Sequence, residues 1–367
     1  MAKDTEDKEK RNKEDTRVIS SEGKAAIAGP PLTLDEARKV AGIRILQSNI
    51  PTAALDATNT RKLAEPTPAK LGEERVRLEI RRQKEQERRK REYVATMSLM
   101  KARGAKGIAA KAAAAKTFTP LQVVAEGDSW FDYPVPFFGG GIIKRLEDRL
   151  GVPILNLAEA GDEVRFMLGV KQRRRLIETL KHGCPAGGSW DVLLFSGGGN
   201  DIVDNPMALW LCDWVAGALP ENQINSPRYN AALQLIRAGY EDLISLRDSL
   251  SSTTHLIFHA YDFAIPDGRG VCHLGPWMKP AFDLHGYPDL NSRFIVVKEM
   301  LKQFASMLSN LQAMYPSSVT FINGQGTLPI MNVDAWHNEL HPKSDGFDKF
   351  ADLFQRELKR LFPRKVA

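Results

Sequence analysis

Five short, almost unbroken apolar runs punctuate the chain after residue 120: LQVVAE (121 to 126), PILNLA (153 to 158), DVLLFS (191 to 196), THLIFHAY (254 to 261) and VTFIN (319 to 323). Their brevity and lack of in-out alternation predict strands buried on both faces. Between them the polar pattern changes period, and IIKRLEDRL, VRFMLGVKQRRRLIETLKH and FIVVKEMLKQFASMLSNLQAMY read as helices. Near the end, Phe347, Phe350, Phe354, Leu358 and Leu361 recur at helical intervals and form one apolar stripe. Strands alternating with helices predict a parallel sheet between helical layers.

The N-terminal third has another texture. Residues 1 to 70 mix charge with proline and small residues, which predicts disorder with short helical islands. From Leu71, LGEERVRLEIRRQKEQERRKREYVATMSLMKA contains strong helix formers and opposite charges at i,i+4 spacing, without a sustained apolar seam. It predicts a solvated helix or a weak coiled coil, followed by a linker, GAKGIAAKAAAAK. The expected organisation is an arm (1–70), a charged helix and linker (71–118), and a folded domain (119–367).

Composition sharpens this division. Of 51 Lys and Arg and 45 Asp and Glu, residues 1 to 118 hold 27 and 17, so the excess positive charge belongs to the N-terminal third. Charges in this third are mixed and RRQKEQERRKRE has no interleaved aromatics for base stacking, which favours a solvated helix over nucleic-acid binding, with self-association or a protein partner through residues 71–102 as the next expectation. The three cysteines, Cys184, Cys212 and Cys272, are far apart and suggest neither a disulfide framework nor a zinc site. With no apolar signal segment and no run of eighteen apolar residues, the expectation is a protein of the cytoplasm, or one exported without a signal peptide.

Chemistry is expected just beyond the carboxyl ends of the strands, where open parallel sheets bind ligands. There lie Gly127-Asp128-Ser129, the AEAGDE segment with Gly161 and the SGGGND segment with Asn200, while NELHPKSDGF with His341 stands just ahead of the final helix. Each has an ordinary alternative as a turn, a phosphate-cradling loop or a helix entry. His337 and His341 stand four apart, but the proline after His341 argues against a metal pair on a helix.

Together and in this order, the four blocks resemble those of SGNH (GDSL-type) hydrolases, over roughly residues 121 to 362. The resemblance implies a three-layer α/β/α sandwich with a five-stranded parallel, flavodoxin-like sheet and an esterase or lipase activity without cofactor or metal. It implies Ser129 as nucleophile, His341 as general base, and Ser129, Gly161 and Asn200 as oxyanion-hole donors. The substrate would be a small-molecule or lipid carboxylic ester. One departure is evident: the family commonly has Asp three residues before its histidine, and this chain has Asn338. The group orienting His341 could be Asn338, Asp334 or Glu339, or a Ser-His pair could suffice. Trp130, Phe131 and Tyr133 are expected to wall the acyl pocket, and residues 206–214 and 263–288 to shape the entrance. A hydrolase-like adaptor without catalysis and an effector acting on membranes or envelopes are the rival readings.

Overall fold

The computed structural model describes residues 32–40, 68–104, 119–133, 140–271 and 274–366. Most of the predicted arm and linker, and with them Cys272, lie outside the described residues. The chain divides into two compact units, residues 1–120 with 151–153 and 364–367, and residues 121–150 with 154–363.

In the first unit, α1 (Leu34–Val40) accompanies α2 (Pro68–Arg103). Arg88 links Glu85 and Glu92 along α2 by i,i+3 and i,i+4 ion pairs, as the charge pattern predicts. The helix is not solvated throughout. Val76, Leu78 and Ile80 are exposed, whereas Tyr93, Met97 and Met100 are buried, because the later turns carry an apolar face that the charged first half lacks.

The second unit is a parallel sheet of β1 (Val123–Gly127), β2 (Ile154–Asn156), β3 (Val192–Ser196), β4 (His255–His259) and β5 (Val319–Ile322), ordered β2-β1-β3-β4-β5. All four pairings are parallel. This is the flavodoxin-like order, whose direction reverses between β1 and β3 and opens a crevice there. Every residue of β1 and β3 is buried, the physical reason that their sequences lack alternation.

Helices α3 (Ile142–Leu150), α4 (Val164–Met167), α5 (Val170–His182), α6 (Gly199–Ile202), α7 (Met207–Trp210), α8 (Ser226–Leu250), α9 (Lys279–Leu284), α10 (Leu290–Met314) and α11 (Ser344–Leu361) complete the unit. The expected single helix over 164–182 is broken at Gly169, which has extended backbone (φ −73, ψ 163) and caps α5. Helix α8 was not anticipated, although Asn225 caps it, Pro227 stands in its first turn, and Tyr229, Leu233, Ile236, Tyr240 and Leu243 form its buried stripe. Helix α11 buries Phe347, Phe350, Phe354 and Leu358 as predicted, while Leu361 is half-buried. Arg149 of α3 reaches Asp348 and Asp352 of α11, fixing these two helices side by side.

Candidate active site

The crevice at the β1/β3 reversal is where the sequence blocks meet. Ser129 lies two residues past β1, in a turn held by Asp128. The Asp128 carboxylate accepts the backbone N–H of Trp130 (3.0 Å), the Ser196 hydroxyl (2.9 Å) and the Tyr261 hydroxyl (2.5 Å). Burial nevertheless pushes its pKa up to about 6. Asp128 therefore shapes the serine turn and is fully occupied in doing so.

Across the crevice, the Ser129 hydroxyl meets His341 Nε2 at 2.6 Å, bridging 212 positions of sequence. His341 is held by a tight turn in which its carbonyl accepts the N–H of His337 (2.8 Å). Its Nδ1 faces Asn338 Oδ1 at 3.0 Å. The same oxygen accepts the backbone N–H groups of Leu340 (2.9 Å) and His341 (3.0 Å), so its identity as oxygen is fixed by backbone donors. Burial pushes the His341 pKa down to about 3, with His337 adding a smaller effect in the same direction. The imidazole is thus neutral and free to accept a proton from Ser129 across the neutral range.

The two other residues suggested beside it lie elsewhere. Asp334 is exposed in a short 3-10 turn, and its backbone N–H is held by Asn332 rather than its carboxylate by His341. Glu339 is fully buried, and its carboxylate accepts four backbone N–H groups, from Gly268 (2.9 Å), Trp277 (2.6 Å), Met278 (2.8 Å) and Lys279 (3.0 Å). It ties down the loop covering the crevice. Replacing it by Gln would turn an amide N–H₂ toward two of those donors, and each buried donor left unsatisfied costs about 1–3 kcal/mol. Glu339→Gln should therefore lower stability by about 2–4 kcal/mol in denaturant unfolding; an unchanged midpoint would contradict the anchoring role.

Asn200 occupies the first turn of α6, after Gly198, whose φ of 101° places it in the left-handed region that suits glycine. One N–H of its side-chain amide donates to the Asp162 carbonyl at 2.8 Å. That contact ties Asn200 to the turn carrying Gly161, which has φ 87° and open space where a Cβ would point. Asp201 accepts the Val164 N–H (3.0 Å) and fixes the same loop from the other side.

A cavity lined by Ser129, His341 and Asn200 continues into an apolar recess of Met207, Val297, Met300 and Leu301, with Met278 and Ala264 contributed by the covering loop. The aromatic wall expected from Trp130, Phe131 and Tyr133 is only partly present. Trp130 lines the cavity, but Phe131 packs against His259 and Phe354, and Tyr133 stacks on the His341 ring with centroids 4.3 Å apart. The apolar lining comes instead from α7, α10 and the loop before α9, because the turn after β1 packs its aromatics against α11. Residues 206–214 and 263–288 both supply lining, as anticipated for segments that interrupt the strand-helix alternation.

No protein-family model matches the sequence, and no curated protein matches it either. Similarity is found among solved structures. A lipase from a goat rumen metagenome is 15% identical over 64% of this chain and 96% of its own, with a TM-score of 0.43. An extracellular lipase from Streptomyces rimosus is 15% identical over 64% and 99%, with a TM-score of 0.41. A family 3 carbohydrate esterase from Clostridium thermocellum is 14% identical over 68% and 100%, with a TM-score of 0.41. The sheet order is the flavodoxin-like one expected from the sequence. What the crevice can do follows from its own geometry. Among the described residues no helix is long and apolar enough to cross a membrane.

Proposed function

We propose that the chain is a serine ester hydrolase that works through an acyl-enzyme. The observation that carries this reading is the 2.6 Å contact between the Ser129 hydroxyl and His341 Nε2 at the switch point of the sheet. A serine hydroxyl becomes nucleophilic when an imidazole stands ready to take its proton. Ser129 Oγ attacks the ester carbonyl carbon while its proton passes to His341 Nε2. The carbonyl oxygen becomes an oxyanion, which the backbone N–H groups of Ser129 and Gly161 and the second side-chain N–H of Asn200 stabilise. Collapse of the tetrahedral intermediate breaks the bond to the alcohol, which leaves with the proton from His341. Water then attacks the acyl-enzyme by the same route, giving the acid and restoring Ser129.

Asn338 holds the His341 tautomer with its amide oxygen but supplies no charge to the imidazolium. A low His341 pKa fits this arrangement, since the imidazolium forms opposite an oxyanion and lasts only as long as that partner does. The rival reading, an adaptor without catalysis, was motivated by the absent Asp. The positioned Asn338 oxygen removes much of that motive. Labelling of the folded protein by a fluorophosphonate, lost in Ser129→Ala, tests the proposal, and unlabelled wild type would favour the adaptor.

The recess beside Ser129 would hold the acyl group. Its Met207, Met278, Val297, Met300 and Leu301 side chains are all buried, so the floor is closed and long chains meet a wall. Trimming Met300 removes part of that wall. Relative to wild type, Met300→Ala should raise the ratio of kcat/KM for octanoyl over butyryl aryl esters by about 10-fold, since one methylene in an apolar pocket changes discrimination by about 1–3 kcal/mol. A constant ratio across the ester series would place the acyl group elsewhere.

A further inference from the structure

His341 and Asn338 are two members of a longer chain of hydrogen bonds. Asn338 Nδ2 donates to the Tyr133 hydroxyl at 3.2 Å, and that hydroxyl lies 2.9 Å from His337 Nδ1. Proton directions follow from the ends inward. For Ser129 to donate to His341 Nε2, His341 carries its own proton on Nδ1 and gives it to Asn338 Oδ1. Backbone donors have already fixed that atom as oxygen, so the amide N–H₂ faces Tyr133. The Tyr133 oxygen accepts from Asn338, and its single proton is directed to His337 Nδ1. His337 is then a neutral acceptor at Nδ1 with its proton on Nε2.

Every donor in this series points the same way, from Ser129 to His337. Aligned hydrogen-bond dipoles polarise one another. When His341 becomes cationic, each link already turns its negative end toward the charge. Tyr133 contributes a second time by stacking its ring on the His341 imidazole, interplanar angle 24°, where its π face meets the developing cation.

We infer that Tyr133 and His337 are positioning residues that stand in for the absent orienting carboxylate: Tyr133 anchors the Asn338 amide, and neutral His337 anchors the Tyr133 hydroxyl. This rests on the hydrolase reading above. Protonating His337 would turn Nδ1 from acceptor to donor, leave the Tyr133 oxygen between two donors, and put a second positive charge near His341. The surroundings oppose that protonation. The charged and titratable groups around His337 are Arg269, Lys343, Tyr133 and His341, with Asp267 paired to Arg269 at 2.7 Å. Arg269 also clamps the turn by donating to the Val333 and Trp336 carbonyls, each at 3.0 Å. Partial burial first, then Arg269 and Lys343, hold the His337 pKa below the ordinary histidine value.

The test uses the full chain and a short aryl ester, p-nitrophenyl acetate. In wild type, kcat/KM should fall with acid through an ionisation of His337 below 6.5, the ordinary histidine value. In His337→Gln, whose amide oxygen can accept from Tyr133 but never ionises, that acid limb should move to lower pH. Tyr133→Phe should lower kcat about 10-fold with KM little changed, and less than about 2-fold when Asn338→Asp supplies a charge that needs no anchor. An acid limb that stays put in His337→Gln, or an equal Tyr133→Phe loss in both backgrounds, overturns the proposal. Nitrogen NMR of histidine-labelled protein reads the same chain without turnover: an unprotonated Nδ1 on His337 supports it and a protonated Nδ1 at neutral pH overturns it. Failure of fluorophosphonate labelling in wild type would sink the hydrolase reading instead, and the NMR result would still decide the arrangement of protons.

Discussion

Ser129→Ala should abolish ester turnover, with kcat falling by about 10⁶-fold toward the level that binding and oxyanion donors sustain alone. In the proposed mechanism Ser129 and His341 act as one unit. Without the hydroxyl, the imidazole has no proton to accept; without the imidazole, the hydroxyl is an ordinary alcohol. Hence His341→Ala should cost about as much as Ser129→Ala, and the double variant no more than either single one. Steady-state assays on p-nitrophenyl acetate, with active-site titration by a fluorophosphonate, would measure all three. Turnover by Ser129→Ala within about 10-fold of wild type would end the proposal that this serine is the nucleophile. Neither substitution should disturb folding greatly, since Ser129 packs at the mouth of a cavity and the His341 turn is held by backbone bonds and by Asn338.

The second large effect belongs to Asn200. One amide N–H is committed to the Asp162 carbonyl at 2.8 Å, which sets the plane of the group, and in the proposed mechanism the other N–H would face the crevice that Asn200 lines. A donor fixed before the reaction stabilises developing charge without reorganising at that moment. Asn200→Ala should therefore lower kcat by about 10²- to 10³-fold, equivalent to about 3–4 kcal/mol, while KM changes little. Asn200→Asp should be at least as damaging, because a carboxylate would face the oxyanion. Equal losses in kcat and binding of a ground-state analogue would show instead that Asn200 only holds the Gly161 turn.

Much of this architecture was readable from residue patterns. The five strands coincide with the five apolar runs because a parallel strand covered on both faces has no polar positions to interrupt it. The blocks carrying Ser129, Gly161 and Asn200 follow strand ends, where topology alone places ligand sites, and His341 stands just ahead of the last helix. Other features depend on contacts between distant segments. The acyl recess joins Met207, Met278 and Met300, whose side chains look like ordinary core residues in isolation. Glu339 reads as one acid among several until the loop from Gly268 to Lys279 folds over it. Asp262 is similar, its carboxylate accepting the backbone N–H groups of Gly326 (2.6 Å) and Leu328 (2.8 Å). Tyr133 was expected in the pocket wall because it follows two buried aromatics. Only the folded turn at His337 to His341 brings its ring onto His341 and its hydroxyl to Asn338 and His337.

The arrangement around Glu339 also bears on how substrates come and go. Its carboxylate grips Gly268, Trp277, Met278 and Lys279, and it stands two residues before His341. The roof of the crevice and the proton acceptor are thus mounted on a single short hinge-free bracket. Lifting that roof would break four hydrogen bonds to the segment that also carries His341. In the proposed reaction, a roof anchored this way would favour screening the alcohol side of an ester by shape on arrival rather than by closure afterwards.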